Sequence, residues 1–178
     1  MHESSMLKMK ELLKIYGEFR SLAVLEVGSA VVVSGPYPTY AEGTDIIAGT
    51  YREFMRSQWN YTGLDMCHAP NVHIVTVDPY NWPIPDNRYD IVISGNCMEH
   101  VPEPLLWMRE IFRVCKPQGA ALVVAPSAGP YHKCPVHCWQ IMPDGMEYVM
   151  RKTGFEILEI GLLDFHPFHD CWGAGRKP

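Results

Sequence analysis

Leu22-Ala23-Val24-Leu25-Glu26-Val27-Gly28-Ser29 decides the fold. It reads as a short buried strand that closes on an acidic residue and turns at a glycine. A second strand-like segment, Tyr61-Thr62-Gly63-Leu64-Asp65, also ends on a carboxylate. A glycine turn at a strand's carboxyl end lets a ligand approach the backbone, and a carboxylate on the next strand can hold ribose hydroxyls. The pair therefore reads as half of a nucleoside site, although the full G-x-G-x-x-G is absent.

Working outward, the apolar residues Met6, Met9, Leu12, Leu13, Tyr16 and Phe19 recur at helical spacing. They predict an N-terminal helix over Ser5–Phe19, and Thr50–Trp59 reads as a further helix. Strands are expected at Val72–Val77, Asp90–Ser94, Ala121–Ala125, Glu156–Ile160 and Cys171–Gly175. Pro102 and Pro104 open a helix that runs to about Cys115 and breaks at Lys116-Pro117-Gln118-Gly119. Pro143 opens the last helix, with Gly154 as its closing residue.

Strands alternating with helices, several of them continuously apolar, predict a mostly parallel sheet covered on both faces. The 178 residues read as one domain, with residues 1–20 an N-terminal helix and residues 30–49 an insertion loop. A net charge of -5 and a pI near 5.9, with no basic stripe, argue against a nucleic-acid partner. No apolar run is long enough to span a membrane, and the N-terminus does not read as a leader. The six cysteines show no C-x-x-C spacing, which suits reduced thiols and a cytoplasmic location.

In this order of elements the chain resembles the class I S-adenosylmethionine-dependent methyltransferases, from about Leu22 to the C-terminus. Val24–Ser29 is similar to the family's first motif, Leu64-Asp65-Met66 to its ribose-binding acid, and Val77-Asp78-Pro79 to its adenine contact. Pro83–Ser94, Met98-Glu99-His100-Val101 and Val114–Gly119 resemble the segments around its fourth and fifth strands. Gly49–Arg52, Asp78–Pro83 and Gly129–Trp139 resemble a bacterial subgroup of sugar and secondary-metabolite pathways. The resemblance implies an α/β, Rossmann-like, doubly wound seven-stranded sheet, mostly parallel with an antiparallel last strand. It also implies S-adenosyl-L-methionine as cofactor and methylation of a small molecule, expected at oxygen. One departure is Ala30, which stands where the family has a second glycine, with Val31–Thr44 as inserted sequence behind it.

Glu26, Gly28, Ser29, Asp65, Met66, Asp78, Pro79 and Asn96 are the expected cofactor-binding residues. An alcohol acceptor needs a base, and His100, His132 and His137 are the candidates. His166 and His169 could border the same site, and Tyr37, Tyr40, Trp139, Phe165 and Phe168 an apolar acceptor pocket. His132, Cys134, His137 and Cys138 sit at ligand-like spacing, but paired ligands normally come from separate segments, so no metal site is expected. A homodimer is one expectation for assembly. Two rival readings stay open: a degenerate, non-catalytic methyltransferase-like binding protein, and a nicotinamide-dependent oxidoreductase.

Overall fold

The computed structural model describes residues 3–17, 21–30, 51–133, 136–165 and 168–178. Helix α1 spans Glu3–Tyr16, and the strands are β1 (Ala23–Val27), β2 (Asn60–Asp65), β3 (Ile74–Val75) and β4 (Tyr89–Gly95). Helix α2 (Pro104–Val114), β5 (Cys115–Ala128), α3 (Pro143–Thr153), β6 (Glu156–Phe165) and β7 (Phe168–Arg176) complete the order. They form one seven-stranded sheet in the order β3-β2-β1-β4-β5-β7-β6. The first five strands in that order pair parallel, and β7 runs antiparallel to both β5 and β6. The expected doubly wound sheet with an antiparallel last strand is therefore the observed one.

The two-residue period of a strand explains why the apolar runs are continuous. Val24, Ile91, Ile93, Leu122 and Val124 face α1, whose Met6, Met9, Leu12 and Leu13 complete one buried layer. Leu25, Val27, Val92, Ala121, Val123 and Ala125 belong to the opposite layer, against Trp107, Met108 and Ile111 of α2 and Met146, Val149 and Met150 of α3. The apolar residues of the central strands are thus buried on both faces of the sheet.

Pro104 occupies the first turn of α2, where its missing N–H has no partner to lose. Gly154 ends α3 in the left-handed region at φ 110°, as the sequence predicts, and its N–H bonds back to Arg151 and Met150. Arg113 anchors the chain entering β4: it donates to both carboxylate oxygens of Glu110, to the Ile84 carbonyl and to Asp86, each at 2.7 Å. Lys177 donates to the Phe112 and Cys115 carbonyls at 2.8 and 3.0 Å, a cation placed at the negative end of α2.

Three expectations change. The helix foreseen over Thr50–Trp59 is a single 3-10 turn, Tyr51–Phe54, because Tyr51 is fully buried against the sheet rather than displayed on a helix face. The third strand is only Ile74–Val75: the Thr76 N–H makes a last bond to the Asp65 carbonyl at 2.9 Å, its hydroxyl bonds the carbonyl of Asp78, and Val77 beyond it is exposed. β5 begins at Cys115 rather than Ala121: Gln118, at φ 63°, turns the backbone, and the pairing with β4 shifts register between Cys115 and Ala120 without ending the strand. The N-terminal helix ends at Tyr16, and Phe19 and the inserted segment after Ala30 lie outside the described residues. Cys115 and Cys171 are buried thiols, and burial pushes both up to about 12.

Candidate active site

The register places the carboxyl ends of three strands side by side. Val27 pairs with Leu64 on β2 and with Ser94 on β4, so Gly28, Asp65 and Gly95 are neighbours at one sheet edge. Gly28 turns the chain at φ 78°, a conformation that costs most other residues strain. The N–H groups of Gly28 and Ser29 both reach the Leu64 carbonyl, at 3.0 and 3.2 Å. The turn is thereby tied to the end of β2.

Asp65 reinforces that tie. One carboxylate oxygen accepts the N–H of Ala30 at 2.9 Å and the other the N–H of Met66 at 2.7 Å. The Cys67 thiol also lies 3.6 Å from Oδ1, and since a carboxylate has about four acceptor positions, capacity for a ligand hydroxyl remains. Met66 beside it is exposed.

Glu26 is buried and joins a hydrogen-bond network. Asn71 donates to the Tyr61 hydroxyl at 2.6 Å, and Tyr61 donates to Glu26. Asn71 also holds the Ser29 carbonyl at 3.2 Å. Burial pushes the Glu26 carboxyl up to about 7, with the Tyr61 bond acting against it. Glu26 thus stiffens the turn from behind, and Ser29, buried, does the same through its hydroxyl on the Leu64 carbonyl.

Asn96 follows β4 in the left-handed region at φ 51°, with its N–H on the Val124 carbonyl at 2.9 Å. Its side-chain oxygen accepts from Ser5 of α1 at 2.7 Å, while its amide nitrogen is buried with no partner among the described residues. That orphaned donor, with the spare capacity of Asp65, fits a polar ligand lying across the edge. Asp78 is exposed and folds onto its own chain, accepting the Tyr80 N–H at 2.8 Å, while the Pro79 carbonyl accepts from Trp82. Those contacts describe a turn, and they bring neither residue to the others.

The three histidines do come together. Ring centroids lie 5.0 Å apart for His100 and His132, 5.9 Å for His100 and His137, and 4.4 Å for His132 and His137. His100 closes a 3-10 turn after β4, and the other two lie on the segment after β5. Burial holds the pKa of His100 below the usual imidazole value, which favours its neutral form. Its Nδ1 lies 2.5 Å from the Val136 carbonyl, so the proton sits there and Nε2 keeps its lone pair. His132 is arranged alike, with Nδ1 3.1 Å from the Pro130 carbonyl. His137 differs: its Nδ1 accepts the His132 backbone N–H, which leaves the proton on Nε2. His132 and His137 border a small open pocket with Pro126, Gly129 and Gln140.

Glu99, Tyr61, Asn71, Tyr51 and Asp170 were not singled out by motif spacing. Glu99 is 1% exposed, and burial pushes its carboxyl up to about 8. Tyr51 lies over Gly95, and Ser4 of α1 donates to the buried Asp170. All depend on contacts between distant segments. His169 pairs with Asp164 at 3.0 Å instead of joining the cluster, and Trp139 donates to the Val101 carbonyl. His166, Cys134, Tyr37 and Tyr40, and the side chains of Phe165 and Phe168, lie outside the described residues.

Residues 10–160 match the family described as a methyltransferase domain. The chain belongs to that family. Within it, the chain is 28% identical over 93 residues to 2-methyl-6-phytyl-1,4-hydroquinone methyltransferase 1 of Oryza sativa, covering 50% of this chain and 28% of that protein. It is 37% identical over 60 residues to demethylmenaquinone methyltransferase of Staphylococcus haemolyticus, covering 34% of this chain and 25% of that one. The matches thus span about a quarter of these relatives' length. The fold is similar to that of Burkholderia thailandensis 1,6-didemethyltoxoflavin-N1-methyltransferase, solved with S-adenosylhomocysteine: TM-score 0.72, 15% identity, 98% of this chain and 79% of that one. Among the described residues, no helix is long and apolar enough to cross a membrane.

Proposed function

We propose that the chain binds S-adenosylmethionine across the carboxyl ends of β1, β2 and β4 and methylates a small molecule, at oxygen. The observation that carries this reading is the Gly28 turn, bonded to Leu64 and flanked by the Asp65 carboxylate. Membership of the methyltransferase domain family supports it, as do the names of the relatives and the product seen bound in the toxoflavin enzyme.

When bound, the cofactor supplies an activated methyl group and a neutral thioether leaving group. The work of the chain is then to hold, align and keep water out. Asp65 accepts hydrogen bonds from the ribose diol, Gly28 allows close approach, and Asn96 offers its amide donor to the amino-acid part. Met66, Asp78 and Pro79 are proposed on the adenine side through the family resemblance alone. An alcohol acceptor loses its proton to the Nε2 lone pair of His100 or His132; His137, protonated on Nε2, orients its neighbours instead. The setting proposed is sugar or secondary-metabolite biosynthesis in the cytoplasm, with a homodimer as the assembly.

A thermal-shift series tests the binding. S-adenosylmethionine and S-adenosylhomocysteine should each raise the melting temperature, since a ligand at a hundred times its dissociation constant adds about 2.7 kcal/mol. A response to NAD alone would transfer the reading to an oxidoreductase, and silence to all three would end it. A second reading, a binding protein without turnover, is favoured by Tyr51, whose hydroxyl fills the space above Gly95. Cofactor binding without methyl transfer to any of a panel of hydroxylated acceptors would select it.

A further inference from the structure

We propose that Glu99, His100 and His132 form a binding site for a divalent transition-metal ion. Their ligand atoms all lie within 4.8 Å of one another, and Glu99 Oε1 is 3.5 Å from His100 Nε2. Metal bonds to imidazole and carboxylate of about 2.0–2.2 Å place neighbouring ligand atoms roughly 3.0–3.5 Å apart. Small side-chain rotations close that difference.

Three features point to an ion rather than to a chance cluster. First, both imidazoles are held by a backbone carbonyl in a tautomer that suits a metal ligand. His100 and His132 each direct Nδ1 at a backbone carbonyl, of Val136 and Pro130, so each keeps a lone pair on Nε2. A ligating histidine is commonly held this way, its second nitrogen donating to a carbonyl that sets tautomer and ring direction. Second, Glu99 is 1% exposed and its Oε2 has no hydrogen-bond partner among the described residues. A buried carboxyl oxygen without a donor is costly, and a cation held at this carboxylate, whose Oε1 faces His100 Nε2, would offset that cost. Third, the backbone presents Glu99 rigidly, because its carbonyl accepts the N–H groups of Cys138 and Trp139 at 2.7 and 3.2 Å.

The donors come from two segments, one after β4 and one after β5, as metal sites usually require. This reverses the reading of the sequence, in which His132, Cys134, His137 and Cys138 were the only tract considered and no metal was expected. Cys138 is exposed, and His137 carries its proton on Nε2. Two imidazoles and one carboxylate suit zinc, manganese, iron(II), cobalt or nickel rather than calcium. Three protein ligands leave at least one position open, the arrangement of a site that acts on a ligand oxygen. The site stands on its own geometry. Its use on an acceptor hydroxyl rests on the methyl-transfer reading: there the ion, in place of a free imidazole, would lower the hydroxyl's pKa.

The test is calorimetric titration of the chelator-stripped chain with Zn²⁺, Mn²⁺ and Co²⁺, together with the visible spectrum of the cobalt form. One ion per chain is expected, with a dissociation constant below about 10 µM for at least one metal. Glu99→Gln and His132→Ala should each weaken it at least about tenfold. Cys138→Ser should bind as the parent does. Circular dichroism of the metal-free variants confirms folding, and should Glu99→Gln not fold, His132→Ala carries the test. Failure of all three metals to bind near one per chain overturns the site. So does parent-like binding by His132→Ala, or loss confined to Cys138→Ser. S-adenosylhomocysteine binding by the metal-free chain is read separately, so either proposal can fail without the other.

Discussion

Asp65 Oδ2 accepts the backbone N–H of Ala30 at 2.9 Å, joining the end of β2 to the chain leaving β1. The same carboxylate therefore serves the fold and, in the proposed function, the ligand. The residue read from the sequence as a departure, Ala30, takes part through its backbone, so its methyl group leaves the bond untouched.

Replacing Asp65 separates the two roles. Asp65→Ala should weaken S-adenosylhomocysteine binding at least tenfold, about 1.4 kcal/mol, and also lower stability by about 1 kcal/mol through the orphaned Ala30 N–H. Asp65→Asn can still accept from Ala30 and should recover most of the stability. Titration calorimetry beside urea unfolding reads both. Unchanged affinity in the alanine variant would remove Asp65 from the cofactor site.

Glu26 predicts a pH dependence of stability. Its folded-state pKa is raised by burial to about 7, from 4.5, with Asp65 adding to the rise and the Tyr61 bond opposing it. Arg52 lies over the Tyr61 ring, 5.8 Å from its centre. A group raised on folding binds its proton more tightly in the native state, so its contribution is complete below the unfolded value and disappears as pH climbs through the folded one. The shift bounds the effect at about 3 kcal/mol. Melting temperature should fall from about pH 5 to about pH 8, and the fall should be smaller in Glu26→Gln, which keeps an acceptor for Tyr61. Identical slopes for parent and variant would show that Glu26 is not the group responsible.

Gly28→Ala combines two costs. The turn needs φ 78°, and a Cβ there would lie 2.7 Å from the Cys97 Cβ. A loss of about 1–3 kcal/mol is expected, with weaker cofactor binding as the turn shifts. Chemical denaturation measures it; a neutral outcome would mean the turn has another conformation.

Gly95 and Tyr51 should be energetically coupled. A Cβ on Gly95 would lie 1.8 Å from the Tyr51 hydroxyl, so Gly95→Ala must displace a fully buried ring. In Tyr51→Ala the same substitution has room. The double-mutant cycle should show a coupling above about 1 kcal/mol, whereas additive losses would place the two side chains apart.

Much of this architecture was legible along the chain. Strands β1, β4 and β5 are runs of Val, Ile, Leu and Ala, which only a sheet covered on both faces can bury. Pro104 and Gly154 mark helix ends for reasons local to the backbone. Tyr51 misled the helix expectation because its burial depends on Gly95, more than forty residues away, and no local pattern carries that information.

What the sequence by itself determined was the order of the strands and of α1, α2 and α3, and the chemistry of the first strand's turn, because apolar period, proline, glycine and strand-end acids act within a few residues. Only the tertiary structure decided that Glu26 turns to Tyr61, that Asn96 is held by Ser5, and that Glu99 meets His100 and His132. Such contacts arise where the sheet brings separate loops to one edge, and there the protonation and pairing of each group depend on neighbours that linear spacing does not name.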